Sequence, residues 1–220
     1  MTGAAGALGS AVLDDLTGRG WTVAAFDRPG DRLDEAAHRD GVVPVPVDLL
    51  DPASVRAAWE RVDEVGAPTA LVALAGGFRA SSLTDLDEDL LAEMWNVNVA
   101  ALVWCCQAAA PRMAAAGGGA VVTVGARSAV SGAAPVAYGA AKAAVVRATE
   151  ILADELRPQR IRVNCVLPSV IDSPANRSWM SPALAAKAVP PSAIAPVIAW
   201  LVGPDSAPVS GARIPVYGDA

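Results

Sequence analysis

The sequence has few of the residues that bind metals or form disulfides. It contains three cysteines and one histidine among 220 residues. Cys105 and Cys106 are adjacent, Cys165 is distant, and all three lie in apolar runs, which fits neither a disulfide framework nor a zinc-ligand spacing. We therefore predict small core cysteines in a reducing, cytoplasmic compartment, and no metal site. The single histidine, His38, lies in a polar stretch and is expected at the surface.

The chain also lacks concentrated positive charge and long apolar runs. Its net charge is −6 and its pI is about 4.7, whereas a nucleic-acid-binding surface needs clustered lysine and arginine. No uncharged apolar stretch reaches the roughly 18 residues of a membrane-spanning helix, and no signal peptide is recognisable. We therefore predict neither a nucleic-acid nor a membrane partner, and expect a small-molecule substrate.

What the chain does have is a composition suited to one large core. It is 53% hydrophobic and 18% charged, and residues 1–220 are predicted to form a single domain. Apolar strands alternate with helical stretches along the whole length. This pattern is typical of an α/β fold with a doubly wound parallel sheet and helices on both faces.

The expected elements follow from that alternation. Strands are predicted at Trp21–Phe26, Val42–Val47, Thr69–Leu74, Ala120–Val124, Ile161–Leu167 and Ala212–Val216. Helices are predicted at Ser10–Thr17, Asp31–Arg39, Pro52–Val65, Asp87–Ala116, Pro135–Leu156 and Ser192–Val202. Two prolines make Val42–Val47 an edge strand, and Pro111 is expected to interrupt its helix. Residues 168–191, rich in proline and serine, are of the kind that forms a substrate lid.

A glycine-rich segment opens the chain. Gly3, Gly6 and Gly9 recur at every third position before the first predicted helix. Such glycines let the backbone turn sharply, approach a pyrophosphate and pack a helix closely on a sheet, so that the helix N-terminus faces the phosphates. The segment predicts a dinucleotide-binding loop, although a glycine-rich turn alone is a weak signal.

An acidic residue follows this loop at the distance that the same motif requires. Asp27 ends the first predicted strand, about 20 residues beyond the loop, where a carboxylate binds the adenosine ribose hydroxyls. The next residue, Arg28, suits the 2′-phosphate of NADP instead. Because a carboxylate repels that phosphate, NAD(H) is favoured over NADP(H). Asp27 also has a simpler interpretation as a turn residue at a strand end.

One expected element is missing at the N-terminus. A dinucleotide-binding unit needs a strand before its glycine loop, and only Met1 precedes Thr2. Without that central strand, the edges of its two neighbours would be unpaired inside the core. We therefore expect the first strand to be absent and the given start to be internal to a longer reading frame. If the start is genuine, we expect a weakened fold and cofactor site.

A tyrosine and a lysine four residues apart are the predicted centre of the chemistry. Tyr138 and Lys142 lie one turn apart on one face of a predicted helix. A lysine cation there favours the tyrosinate and lowers the pKa of the phenol, which brings it closer to acid/base work near neutral pH. On an exposed helix, the same spacing is only a solvated pair.

Together these motifs resemble the short-chain dehydrogenase/reductase family over essentially the whole chain. The matching residues are Thr2-Gly3-x-x-Gly6-x-x-Gly9, Asp48-Leu49, Ala75-Gly76, Asn98, Tyr138-x-x-x-Lys142, Asn164 and Pro168. The resemblance implies a Rossmann-type sheet and Tyr138 as the acid/base. It also implies that Lys142 binds the nicotinamide ribose, and that Asn98 holds a helix distortion and a relay water.

The resemblance further implies a set of cofactor contacts. Asp48 would contact the adenine ring, Ala75-Gly76 would flank the cofactor, and residues 168–173 would line the nicotinamide. The implied cofactor-binding residues are Gly3, Gly6, Leu8, Gly9, Asp27, Arg28, Asp48, Leu49, Ala75, Gly76, Tyr138, Lys142, Pro168, Ile171 and Ser173. Alternatively, Asn98 is a hydrogen-bonded residue of a buried helix and Asp48 a helix-flanking acid.

One feature of the family is absent from this sequence. The family's catalytic serine follows the strand before the Tyr138 helix, but Gly125 or Ala126 stands there, depending on the alignment. Neither side chain can donate a hydrogen bond, and losing one such donor typically costs roughly a hundredfold to a thousandfold in rate. Ser128 and Ser131 are candidates to replace it. Either the substrate is easy to reduce, or activity is impaired.

A narrower resemblance bears on that choice. Ala75-Gly76-Gly77, Gly125-Ala126-Arg127, the Tyr138 motif and the stretch from Leu167 to Met180 are similar to quinoid dihydropteridine reductase-like members of the family. This similarity implies a quinonoid substrate, which accepts hydride with little carbonyl polarisation. Trp179, in the expected lid, is the tryptophan placed to touch a planar substrate.

The sequence thus predicts an NAD(P)H-dependent oxidoreductase that transfers hydride to or from a small carbonyl, imine or quinonoid substrate. The alternatives are a non-catalytic nucleotide-binding or interaction protein and a truncated inactive homologue. The helices that carry Asn98 and Tyr138 have alanine-rich outer faces, which permit close helix packing and predict a homodimer or homotetramer.

Overall fold

Parallel strands and the helices that connect them set the architecture. The computed structural model describes residues 1–219. The strands are β1 Val23–Asp27, β2 Val42–Pro46, β3 Ala70–Ala73, β4 Gly119–Val124, β5 Ile161–Pro168 and β6 Arg213–Val216. β1 pairs with β2, and β3, β4, β5 and β6 pair in that order, all in parallel. β2 lies at an edge, as its two prolines predict.

The helices fill the connections between the strands. They are α1 Ala7–Gly18, α2 Asp31–Ala36, α3 Pro52–Val65, α4 Glu88–Trp95, α5 Ala101–Ala115, α6 Val136–Glu155, α7 Pro174–Arg177, α8 Pro182–Ala185 and α9 Pro191–Val202. A π-helical turn, Asn96–Ala100, joins α4 to α5. The predicted elements are confirmed, with ends that differ by no more than three residues.

Two apolar cores cover the two faces of the sheet. One contains α1 and α9 side chains such as Leu13 and Ile198, packed with Val122 of β4. The other contains α3, α5 and α6 side chains such as Met113, packed with Val121 of β4. Since neighbouring residues of a strand point to opposite faces, this division shows that the sheet is doubly wound.

The two groups of strands are joined by the first two residues of the chain. The amide of Phe26 donates to the Met1 carbonyl at 2.8 Å, and the amide of Thr2 donates to the Val72 carbonyl at 2.9 Å. Thr2 thereby forms parallel bridges to both β1 and β3. Met1 and Thr2 therefore lie where the carboxyl end of the strand expected before the glycine loop would lie.

Beyond Met1 the space between β1 and β3 is open. A cavity of about 160 Å³ lies there, lined by Met1, Ala24, Trp59 and Val72 among others. The buried indole Nε1 of Trp59 has no hydrogen-bond partner among the described residues.

The prediction that Pro111 interrupts its helix is wrong. Pro111 lies inside α5, which continues to Ala115. Proline removes one backbone donor from a helix, but Cys105, Ala109 and Met113 bury the inner face of α5 and hold it in place. The helix is instead distorted at the π-helical turn before α5.

The cysteines and the histidine lie where the sequence predicts them. The three cysteines are free and buried, which confirms them as core residues, and His38 is exposed. Among residues 1–219, no helix combines the length and the apolarity needed to cross a membrane.

The buried α-amino group of Met1 makes stability depend on pH. It donates to the Ala24 carbonyl at 2.7 Å, and loss of hydration lowers its pKa from 8.0 to about 5, against a smaller opposing effect of Cys105. Between these values the unfolded chain binds more protons than the folded chain. The free energy of unfolding should therefore rise from pH 5 to pH 8, by up to about 1.4 kcal/mol per pH unit.

Urea denaturation at several pH values tests this on the chain with a free Met1 amine and on the same chain acetylated there. Lys142, whose pKa is about 8, begins to titrate at the upper end of this window, but it and the other groups are common to both samples. A steeper pH dependence is expected for the free amine. Equal slopes for the two samples would contradict burial of the ammonium group.

Candidate active site

The glycine loop crosses the carboxyl end of β1 and β3 in a tight turn. Gly3 has a φ of +65°, and a Cβ atom there would lie 2.8 Å from the Ala75 amide nitrogen. A Cβ at Gly9 would lie 2.2 Å from the Gly3 carbonyl oxygen, so that only glycine lets α1 pack against the loop. No side chain caps the N-terminus of α1, which leaves its first amides available to an anion.

A cavity of about 690 Å³ runs along this edge of the sheet. Its lining includes eight of the predicted cofactor-binding residues, namely Gly3, Gly6, Asp27, Arg28, Asp48, Leu49, Ala75 and Gly76. Leu8 and Gly9 are buried below the loop and do not line the cavity. Arg32, Glu93 and Val97 also line it, and no sequence motif indicated them.

Two aspartates in this cavity are held in place by backbone amides. The Asp27 carboxylate accepts from the amides of Ala5 and Arg28, each at 2.8 Å. Asp48 accepts from the Leu50 amide at 3.0 Å. Asp27 thus ties the end of β1 to the glycine loop while it faces the cavity, so it is more than a turn residue.

Asn98 fixes the loop that follows β3. It lies in the π-helical turn and is 2% exposed. Its Nδ2 donates to the carbonyls of Met94 at 2.9 Å and Gly77 at 3.1 Å, and its Oδ1 accepts from the Gly77 amide at 3.2 Å. The implied helix distortion is therefore present, and the amide of Asn98 also clamps the backbone beside Gly76.

Tyr138 and Lys142 lie one turn apart near the start of α6, as predicted. The buried Lys142 donates through Nζ to the Val124 carbonyl at 2.9 Å, and burial lowers the pKa of its ammonium group to about 8. A Cβ at Gly76 would lie 2.8 Å from Asn98 Oδ1 and 3.2 Å from Lys142 Nζ. These two polar groups therefore converge on Gly76, at the edge of the cavity.

The expected lowering of the tyrosine pKa is wrong for this structure. Burial raises the pKa of Tyr138 to about 12. Loss of hydration disfavours the phenolate, and the Lys142 ammonium is directed at the Val124 carbonyl. Sequence spacing places the two groups on one face but does not report how deeply they are buried.

An aromatic side chain covers Tyr138. The Phe78 ring meets the Tyr138 ring edge to face, with centroids 4.9 Å apart, and stacks with the Trp179 ring at 5.6 Å. The sequence indicated Trp179 as a residue that could touch a planar substrate, but it did not indicate Phe78. The only signal for Phe78 is its position directly after Ala75-Gly76-Gly77.

The place of the family's serine is filled by apolar side chains. A Cβ at Gly125 would lie 2.6 Å from Leu167 Cδ2 and 3.0 Å from Val146 Cγ2, and Ala126 is 5% exposed. A serine at position 125 would therefore require the Leu167 side chain to move. Ser128 is half-buried in a 3₁₀ turn, Arg127–Ala129, and Ser131 is exposed.

Three predicted cofactor contacts lie at the base of residues 168–191. Pro168 ends β5, Ile171 forms a bridge with Val189, and Ser173 caps α7 by accepting from the Asn176 amide. None of the three lines the 690 Å³ cavity. The structure thus brings together the eight predicted residues that line the cavity, whereas these three lie outside its lining.

Comparison with known proteins identifies the family. Residues 1–183 match the model of the short chain dehydrogenase family. A D-threitol dehydrogenase from Mycolicibacterium smegmatis is 31% identical, over 99% of this chain and 90% of the relative. A probable galactose dehydrogenase from Rhizobium meliloti is 30% identical, over 82% of this chain and 74% of the relative.

A solved structure is similar over nearly the whole chain. It is an NADPH-bound short chain oxidoreductase from Pseudomonas aeruginosa that contains an atypical catalytic center, with a TM-score of 0.92, 25% identity, and coverage of 99% of this chain and 93% of that one. The chain therefore belongs to the short-chain dehydrogenase family, and it is an NAD(P)-dependent oxidoreductase.

The residues present fit a nicotinamide dinucleotide. The glycine loop and the uncapped start of α1 suit the pyrophosphate. Carboxylates at the ends of adjacent strands suit ribose hydroxyls, and Gly76 leaves open a space that a Cβ would fill. One end of the groove thus suits a pyrophosphate, and Gly76 brings the groove close to Lys142 Nζ.

Gly76 should be essential to cofactor binding. In Gly76→Ala the new Cβ meets Asn98 Oδ1 at 2.8 Å, and the crowding should displace Asn98 and Lys142. We expect the Kd of NADH to rise about tenfold or more in a fluorescence titration. Gly18→Ala is the control, because a Cβ there has no neighbour within 4 Å. Unchanged NADH binding by Gly76→Ala would contradict the assignment of this groove.

Proposed function

We propose that this enzyme is an NAD(H)-dependent oxidoreductase that moves hydride to or from a small carbonyl, imine or quinonoid carbon, with Tyr138 as the acid/base. The convergence of Lys142 Nζ and Asn98 Oδ1 beside Gly76, one helical turn from Tyr138, carries the proposal. Both groups lie beside Gly76, which lines the groove, and this position supports Tyr138 as the proton-transferring group.

Each residue has a stated part in the reaction. When bound, the dinucleotide supplies or accepts the hydride. Tyr138 is protonated at neutral pH because burial raises the pKa of its phenol to about 12. It gives this proton to the alkoxide oxygen, the amine nitrogen or the hydroquinone oxygen that forms as the substrate accepts hydride. Lys142 binds the nicotinamide ribose, and as a cation it offsets developing phenolate charge. Asn98 holds the Gly77 backbone and a water that returns the proton.

Asp27 supports NAD(H) over NADP(H). Its carboxylate faces the groove at the end of β1, where the adenosine ribose would lie, and a 2′-phosphate there would meet a fixed negative charge. Arg28 and Arg32 line the same groove and favour the alternative, NADP(H). We give more weight to Asp27 because backbone amides fix its position, whereas both arginines are exposed.

The proposed substrate accepts hydride without a side-chain hydrogen bond that polarises its carbonyl group. Neither Gly125 nor Ala126 carries a hydroxyl that could polarise a carbonyl, so we propose a substrate carbon that accepts hydride readily without it. A quinonoid ring does so, and the narrower resemblance to quinoid dihydropteridine reductases supports one. The named sugar and polyol dehydrogenases among the relatives favour a second candidate, a polyol or sugar.

The assembly and the setting are further parts of the proposal. A groove of about 660 Å³ follows the outer faces of α5 and α6, with Val103 and Ile151 exposed beside it. These apolar faces support a homodimer or homotetramer. We also propose a single domain over residues 1–220, a lid at residues 168–191, and a reducing cytoplasmic location.

Tyr138→Phe tests the assignment of the acid/base. Removing the hydroxyl should lower kcat by at least about a hundredfold and leave the Kd of NADH within about twofold. The assay is NADH oxidation with a panel that contains a quinone, quinonoid dihydropterin, an aliphatic aldehyde and a keto sugar. Tyr217→Phe is the matched control, because Tyr217 is the other of the two tyrosines. Full activity of Tyr138→Phe would contradict Tyr138 as the acid/base, whereas a wild type that oxidises NADH with no member of the panel would favour the non-catalytic alternative.

Asp27→Asn tests the cofactor preference. The wild type should bind NADH at least about tenfold more tightly than NADPH. Asparagine keeps an oxygen for the Ala5 amide but removes the charge, so the Kd of NADPH should fall several-fold. Asp31→Asn, which also alters the groove lining, should change the ratio much less. Equal or tighter binding of NADPH by the wild type would overturn the preference for NAD(H).

A further inference from the structure

Phe78 and Trp179 form an aromatic wall beside the proton-transferring residue. Phe78 lies in the loop between β3 and α4, and Trp179 follows α7 within residues 168–191. Their rings stack with centroids 5.6 Å apart at an interplanar angle of 30°, and Phe78 also meets Tyr138 edge to face. The wall therefore connects the proposed lid directly to Tyr138.

This wall is not part of the apolar core. Phe78 is 39% exposed and Trp179 is 48% exposed, and neither belongs to the buried clusters of the sheet. Adjacent aromatic side chains that remain exposed form an apolar patch of the kind that binds ligands or partners. The stacked pair offers planar apolar area at a site that otherwise has few side-chain donors.

The spacing of the two rings determines how a ligand can use them. A planar ring could enter between Phe78 and Trp179 only if their planes were about 7 Å apart, which is twice the usual stacking distance. Two offset-stacked rings with nothing between them have centroids about 4.5–7 Å apart. At 5.6 Å the indole already occupies the stacking position on Phe78. A planar ligand that stacks on that face of Phe78 has to displace Trp179.

Hydrogen bonds and an ion pair hold residues 171–177 at the base of the proposed lid, and Trp179 follows them in the chain. Arg177 makes a two-point ion pair with Asp172, at 2.5 and 2.7 Å. The Asp172 amide donates to the Val189 carbonyl at 2.8 Å, and Asn176 Nδ2 donates to the Ile171 carbonyl at 2.9 Å. Trp179 lies past these contacts and is half exposed, so it can leave Phe78 without loss of the base.

We propose that Phe78 is the platform for a planar, conjugated ring substrate, and that Trp179 covers this platform and is displaced by the substrate ring. The inference rests on the proposed function and narrows its substrate class to quinonoid rings. Stacking on Phe78 orients the ring in place of the hydrogen bond that Gly125 cannot supply. The ring gains a hydride and a proton and becomes a hydroquinone, while the nicotinamide cofactor is oxidised.

Two variants with opposite expected effects test the proposal. The probes are phenanthrenequinone, which is planar and conjugated, and decalone, a saturated bicyclic ketone. In the presence of NAD⁺, Phe78→Leu should raise the Kd of phenanthrenequinone roughly fivefold to tenfold, the loss of one aromatic stack. Trp179→Leu should lower that Kd about threefold, because it uncovers the platform. Decalone binding should change less than about twofold in both.

Tryptophan fluorescence reports the displacement independently of turnover. Phenanthrenequinone should change the emission of the wild type, and Trp179→Leu should lose most of that change. Trp200→Leu is the control, because Trp200 is also exposed but lies on α9, away from the cleft. Equal weakening of both probes by Phe78→Leu, or an unchanged emission response in Trp179→Leu, would overturn the proposal.

The outcomes separate this inference from the proposed function. If the quinone binds with the expected pattern but NADH is not oxidised, the proposed function fails and the platform stands. If NADH is oxidised with decalone at least as well as with the quinone, and Phe78→Leu changes neither rate, the oxidoreductase stands and the platform fails. Absence of quinone binding by the wild type overturns the platform.

Discussion

The pairing of Met1 and Thr2 with both neighbouring strands is the constraint on which the rest of the structure depends. Through it, β1 and β3 become parts of one sheet, and the chain leaves that sheet directly into the glycine loop. The Thr2 hydroxyl also accepts from the Ala75 amide at 3.2 Å. Two residues thus position the loop, Asp27 and the end of β3 at a common edge, where the carboxyl ends of parallel strands form a binding crevice.

The chemistry of the site follows from a second convergence, around Gly76. Lys142 from α6 and Asn98 from the π-helical turn can approach this position only because it has no side chain. Burial also affects the protonation of Tyr138 and Lys142, because it raises the pKa of Tyr138 to about 12 and lowers that of Lys142 to about 8. The tyrosine therefore keeps its proton at neutral pH, which is the form that the proposed reduction requires.

Local patterns made much of the fold and site predictable. The alternation of strands and helices predicts the doubly wound sheet, and spacing alone predicts that Gly3, Gly6 and Asp27 lie at one edge of it and that Tyr138 and Lys142 lie one helical turn apart. The rest depends on contacts between distant parts of the chain. Sequence does not report the burial that reverses the expected pKa shift of Tyr138, the contact of Phe78 with Trp179, or the packing that lets α5 continue through Pro111. Nor does it show that Leu167 and Val146 fill the place of the missing serine.

The central claim is that the groove beside Gly76 binds a nicotinamide dinucleotide and presents it to Tyr138. The most direct measurement is a fluorescence titration of the 220-residue chain with NADH, followed by competition with ADP, which carries only the adenosine half. We predict saturable, one-to-one binding that ADP reverses, because Asp27 and Asp48, the proposed contacts of the adenosine, line the groove. Binding that ADP does not reverse, or no saturable binding at all, would contradict the assignment of this groove.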